Sequence, residues 1–209
     1  MARRNKTSRV RDLIAAFLPD YLRLVEPDLA PHLDLSSVDF PDLPRPVSAV
    51  CRSVGVVAEV RTRAGENVTI LVRVEPEGRS PAEGGEGLVR SLRALKVPLG
   101  EPVWLSVIFL KGSRPGINLE TARAVSLAGL DAVRIYYTAF GLEGSRAEYY
   151  LHRPEPFAWA LATLMRSLRY SSADLKRACQ ERILAAALDD DCRDFLLACV
   201  EDFQPRPAS

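Results

Sequence analysis

Two β-branched apolar runs joined by a short Gly-containing loop constrain this chain more than any other feature. They are residues 54–61 (VGVVAEVR) and 68–75 (VTILVRVE), linked by Thr62-Arg63-Ala64-Gly65-Glu66-Asn67. Their near-continuous apolar character suits strands covered on both faces. Gly65 can take a positive φ, so the loop makes the pair a hairpin. A hairpin of this kind belongs inside a layered α/β fold.

The remaining pattern agrees. Residues 102–110 (PVWLSVIFL) read as another buried strand, and 122–127 and 132–139 as two more around the turn Ala128-Gly129-Leu130-Asp131. Val10, Leu13, Phe17, Tyr21 and Leu24 recur at helical spacing, which predicts an amphipathic helix over 9–25 with a kink or a restarted helix at Pro19. Helices are expected over 88–97, 155–168, 172–188 and 190–203. Residues 26–46, rich in Pro, Asp and Ser, read as a connection with short turns. The polar segment 78–87 (GRSPAEGGEG) reads as a flexible loop, since it has neither dinucleotide-binding nor P-loop spacing. The expected fold is thus an α/β core over 9–150, with about five strands in a mixed sheet flanked by helices. A helical C-terminal extension over 151–203 packs on it, and 1–8 and 204–209 are flexible tails.

Charge limits the functions open to the chain. A formal net charge of +1 excludes a protein that coats nucleic acid by overall charge. The one basic cluster is Arg3, Arg4, Lys6, Arg9 and Arg11, either an arm for phosphates or a solvated tail; the solvated tail is the preferred reading. The four cysteines, Cys51, Cys179, Cys192 and Cys199, form no CxxC pair, and only His32 and His152 could join them, which argues against structural zinc. Buried thiols in a reducing cytosol are expected instead. The apolar stretch at 13–18 is too short for a signal peptide or a membrane span, so a cytoplasmic protein without membrane contact is expected.

Three acidic residues stand where chemistry could occur. Strand alternation puts Leu71, Arg73 and Glu75 on one face, and Glu77 joins them if the extended run persists past Pro76. Two carboxylates so spaced can hold a hard divalent cation, or can simply be strand-end surface charges. Asp20 falls within about 20° of Leu13 on a helical wheel, on the apolar side, where a carboxylate needs a partner or a role; alternatively Pro19 breaks the wheel and Asp20 caps a new helical turn. Arg90, Arg93 and Lys96 read as a solvated helix face, and His32 and His152 as surface histidines.

Four stretches, in order, carry a resemblance: FLPDYLRLVEPDLAPHLDLSS, VVAEVRTRAGENVTILVRVE, VWLSVIFLKGSRPGI and RPEPFAWALATLMRS. Together they resemble the recombination-promoting nuclease/transposase family, a branch of the PD-(D/E)XK nucleases, over about residues 9–203. The resemblance implies an acidic residue on the first helix, an Asp on the first hairpin strand and Glu-x-Lys or Glu-x-Gln on the second. The carboxylates hold Mg²⁺, which activates water, while the Lys or Gln stabilises developing charge.

Carried over to this chain, the helix acid matches Asp20 and the Glu matches Glu75. The strand Asp falls at Gly55, and the Lys or Gln falls at Glu77, which inverts the expected charge. The family's acidic and His-containing opening has become Asn5-Lys6-Thr7. Loss of a direct metal ligand should cost at least the roughly 10–100-fold that even a change in a ligand's supporting partners costs. The chain is therefore expected to keep the fold without the hydrolysis. It would carry no cofactor, or only weakly bound Mg²⁺ or Mn²⁺, and bind DNA or a protein, a second copy included. The alternative is a metal-dependent endonuclease whose substitute site is Asp20, Glu75 and Glu77.

Overall fold

A computed structural model describes residues 5–41, 55–77, 81–95, 102–127 and 130–203. Arg3, Arg4, Cys51, Lys96 and the turn residues Ala128 and Gly129 lie outside them.

The chain opens with helices α1 (Lys6–Ala16) and α2 (Leu18–Val25), then a 3-10 turn at Ala30–His32. Strands β1 (Leu33–Asp39), β2 (Gly55–Thr62) and β3 (Asn67–Glu75) follow. Helix α3 (Pro81–Leu95) leads into β4 (Val103–Phe109), β5 (Gly116–Leu127) and β6 (Leu130–Gly141). The C-terminal part is helical: α4 (Ala147–Leu151), α5 (Pro156–Ala162), α6 (Ser172–Ala185) and α7 (Asp190–Phe203).

The six strands form one mixed sheet in the order β1-β2-β3-β4-β6-β5. The first three are an antiparallel meander. β4 then lies parallel to β3, from Thr69 opposite Val103 to Glu75 opposite Phe109. A parallel neighbour cannot be reached by a tight turn, and α3 supplies the crossover. β6 runs parallel to β4, while β5 folds back beside β6 at the edge.

Alternation along the central strands sorts side chains between two apolar layers. Ile70, Val72, Val74 and Ile108 join the core formed by α1, α2 and the C-terminal helices. Leu71, Leu105, Val107 and Phe109 face the other way and pack with Leu88 of α3. The C-terminal helices are part of the first layer, with α7 against α1 and α5 against α2. Tyr21 meets Phe157 edge to face at 5.8 Å.

The sheet has one strand more than the sequence pattern suggests. β1 falls inside the stretch read as a connection, because LDLSSVD has little apolar signal and buries only Leu33. It is held by pairing: the Arg61 N–H donates to Ser37 Oγ at 2.8 Å, while Asp34 accepts from Ser36. α3 begins at Pro81, seven residues earlier than expected, with proline at the first helical position, where its missing N–H costs nothing. Of the two outcomes expected at Pro19, the helix restarts: α1 and α2 part at Phe17, and Pro19 sits in the opening turn of α2. α5 stops at Ala162 and the short α4 precedes it. No helix among the described residues is long and apolar enough to cross a membrane.

Candidate functional site

The charged residue that most shapes the site is Arg73, in the middle of a strand buried on both faces. Its exposure is 8%. A guanidinium so far from water requires a carboxylate and acceptors for its remaining N–H groups. It has them. Nε donates to Glu75 Oε1 at 2.7 Å, and Nη2 lies 2.6 Å from the same oxygen. Nη1 donates to the Gly87 carbonyl and to Ser91 Oγ, both at 3.2 Å. The two residues stand on the α3 face of β3, as alternation requires.

Two glycines fit this arrangement. A Cβ at Gly87 would come within 2.7 Å of the Arg73 guanidinium carbon, so a side chain there would displace the guanidinium from its present bonds. Gly55 pairs directly with Arg73 across the hairpin. A Cβ at Gly55 would meet the Val72 carbonyl oxygen at 2.4 Å, and backbone cannot yield as a side chain can. The position expected to have lost an Asp has no room for any side chain in this backbone.

Asp20 and Glu77 have separate surroundings. Asp20, in the first turn of α2, accepts from Arg23 Nη1 at 2.8 Å. Burial raises its carboxyl above the ordinary range, Arg23 pulls it back, and Glu155 adds to the rise. Its helix belongs to the layer on the far face of the sheet from α3. Glu77 is exposed and lines a recess with Lys6 and Lys111. Among the described residues, no three His, Cys, Asp or Glu side chains converge as a metal-holding group. Glu75 Oε1 is already held by two guanidinium nitrogens of Arg73.

The basic cluster is divided. Lys6, Arg9 and Arg11 belong to α1, not to a tail. Arg9 pairs with Asp202 of α7 at 2.9 Å and lies over the Phe195 ring, while Arg11 bonds to Asp12. A different set of cations has the more open setting. Arg23, Arg61 and Arg63 line a groove of about 840 Å³ beside β1, with Asp34 as its acidic member.

The sequence reading also missed a polar seam between α2 and the central strands. Tyr21 Oη and Ser106 Oγ are 2.5 Å apart, and the Thr138 hydroxyl donates to Glu26 Oε2 at 3.1 Å. Burial lifts the Glu26 carboxyl to about 7, against opposing bonds from Trp104 and Thr138. Cys179, Cys192 and Cys199 are free thiols, and burial pushes Cys179 and Cys199 up to about 12.

No family model, curated protein or solved structure matches the chain.

Proposed function

We propose that this chain is a non-hydrolysing, DNA-binding protein on a PD-(D/E)XK nuclease-like scaffold. The observation that carries the reading is the buried Arg73–Glu75 pair. The carboxylate that the resemblance assigns to a metal is neutralised by a fixed internal cation. Gly55, opposite Arg73, leaves the neighbouring ligand position without a side chain, and the exposed Glu77 offers a negative charge where a donor is wanted. Phosphodiester cleavage needs preorganised positive charge at the reacting phosphate, and this set supplies none free to act.

Binding has a better candidate surface. The groove of Arg23, Arg61 and Arg63 suits the phosphate backbone, where exposed guanidinium groups gain affinity by releasing counterions. Purified protein with Mg²⁺ or Mn²⁺ should leave supercoiled plasmid intact. It should bind labelled duplex with an affinity that falls steeply with salt and drops in Arg61→Ala/Arg63→Ala. Nicking that disappears in Glu75→Ala would overturn the loss of hydrolysis; salt-insensitive or unaltered binding would overturn the groove.

One observation favours a second copy of the chain as an additional partner. The edge strand β5 exposes Ile117 and Leu119, the latter 74% accessible, beside Tyr136 on β6. An edge strand that presents apolar side chains to water is suited to pairing. Light scattering should then report a dimer that Leu119→Lys converts to monomer; a monomer at every concentration removes this partner.

A further inference from the structure

The two ends of the sheet differ in chemistry. Arg61 and Arg63 stand where β2 closes, beside the start of β3. β6 runs parallel to β4 and delivers the chain to Ser145 at the opposite end. From Ser145 to Tyr170 the chain carries four arginines and two glutamates, a local excess of positive charge. Arg153 is paired with Glu155. Arg146, Arg166 and Arg169 are exposed, and none of the three pairs with a carboxylate among the described residues.

Backbone geometry sets two of these cations side by side. The Ala147 N–H donates to the Arg166 carbonyl at 2.9 Å, and the Arg166 N–H to the Ser145 carbonyl at 3.0 Å. Arg146 and Arg166 are therefore partners in a parallel bridge, which puts their side chains on one side with strands about 5 Å apart. Like charges directly opposite one another are destabilising, so the pair is better placed to receive an anionic partner than to hold the fold.

Open rings are interleaved with the arginines. Tyr149 is 59% exposed, three residues after Arg146, and meets Tyr150 edge to face at 5.2 Å. Leu168 and Tyr170 are exposed on either side of Arg169. Glu148 fastens that loop to α4: its Oε1 accepts from Ser167 Oγ at 2.7 Å and from the Leu168 and Arg169 N–H groups at 2.8 and 3.0 Å. The Tyr170 N–H in turn donates to Ser167 Oγ at 2.8 Å. The loop is thus held in shape before a partner arrives, which lowers the ordering cost of binding.

We propose that α4 and the 166–170 loop bind single-stranded nucleic acid, with bases stacked on Tyr149 and Tyr170 and phosphates held by Arg146 and Arg166. Aromatic rings set among unneutralised cations suit a polymer that offers flat bases and phosphates together, and a duplex keeps its bases stacked inside. An acidic peptide would engage the arginines and give the rings no flat partner. The proposal does not rest on the arginine groove, and either surface can fail without the other.

Fluorescence anisotropy of the full chain with labelled oligo-dT, and oligo-U as the RNA arm, tests it. Saturable binding that weakens as salt rises is expected, and the tighter arm identifies the sugar. Tyr149→Ala should weaken binding about fivefold or more by removing one stacked base, while Tyr149→Phe, which keeps the ring, should bind like the parent. Tyr170→Ala should also weaken it. Arg146→Gln/Arg166→Gln should lower both the affinity and its dependence on salt. A base-free sugar-phosphate oligomer should bind more weakly and be indifferent to Tyr149→Ala, and Arg61→Ala/Arg63→Ala should leave the affinity for oligo-dT unchanged. No saturable binding of either arm, or parental affinity in both tyrosine-to-alanine variants, overturns the proposal. So does tighter binding of polyglutamate than of oligo-dT, which would assign the surface to an acidic protein.

Discussion

Replacing Arg73 by Met tests the central interaction directly. The substitution keeps a long apolar stem, deletes the cation and leaves Glu75, the Gly87 carbonyl and the Ser91 hydroxyl without it. Removing one partner of a buried ion pair typically costs about 3–5 kcal/mol, because the other charge stays behind uncompensated. Glu75 is 19% exposed at its side chain and Arg73 10%, so water reaches the abandoned carboxylate in part. The expected loss is therefore about 2–4 kcal/mol. Glu75→Leu alone strands the guanidinium and should cost a similar amount. Removing both charges together leaves an apolar contact and should cost only about 1 kcal/mol, since apolar replacement of a whole buried pair is often nearly neutral. The coupling between the two positions should thus exceed roughly 2 kcal/mol in a double-mutant cycle. Urea unfolding followed by circular dichroism measures it, provided the slope with denaturant stays constant across the four proteins. A loss under about 1 kcal/mol for Arg73→Met, or simple additivity in the double variant, would show that the pair does not hold the site.

Other substitutions probe the surroundings. Gly55→Asp should not create metal binding by calorimetry with Mn²⁺, and should destabilise by about 1–3 kcal/mol or more, because its Cβ meets the Val72 carbonyl at 2.4 Å. A stable variant that binds Mn²⁺ would refute that steric argument. Gly87→Ala should gain about 1 kcal/mol of helix propensity and lose about 1–3 kcal/mol by crowding the Arg73 guanidinium, for a net loss in urea unfolding. A net gain would mean that Arg73 moves aside freely. Glu26 titrates near 7 in the folded chain against 4.5 as its ordinary value, because it is buried. Between those values the folded state holds the extra proton, so stability is complete below the lower one and declines through the higher, by about 3 kcal/mol in all. Glu26→Gln should abolish this decline, and parallel pH profiles for the two proteins would sink the assignment.

Much of the sheet could be read from residue pattern alone, because β2, β3 and β4 are apolar for almost their whole length. β1 could not, since its pairing is held by Ser37 and by register with β2, information that local periodicity does not contain. The start of α3 was hidden by Gly84 and Gly85, which signal a loop unless tertiary packing overrides them. At the site, Glu75, Gly55 and Glu77 could be singled out by resemblance, and Arg73 could be placed on the same face as Glu75. Its role could not. The one available signal was an arginine inside a strand expected to be covered on both sides, which demands a partner within reach. The other half of its cage, Gly87 and Ser91, comes from a helix whose approach no local rule predicts.

The seam linking α2 to the sheet has a consequence for how the chain reaches its final form. Tyr21 finds Ser106 across 85 positions, and Glu26 finds Thr138 across 112. At about 5–20 residues per second, the opening helices leave the ribosome several seconds before those strands exist. Throughout that interval the apolar side of α2 lacks its native partners on the central strands and the C-terminal helices, so α2 has much to gain from a chaperone.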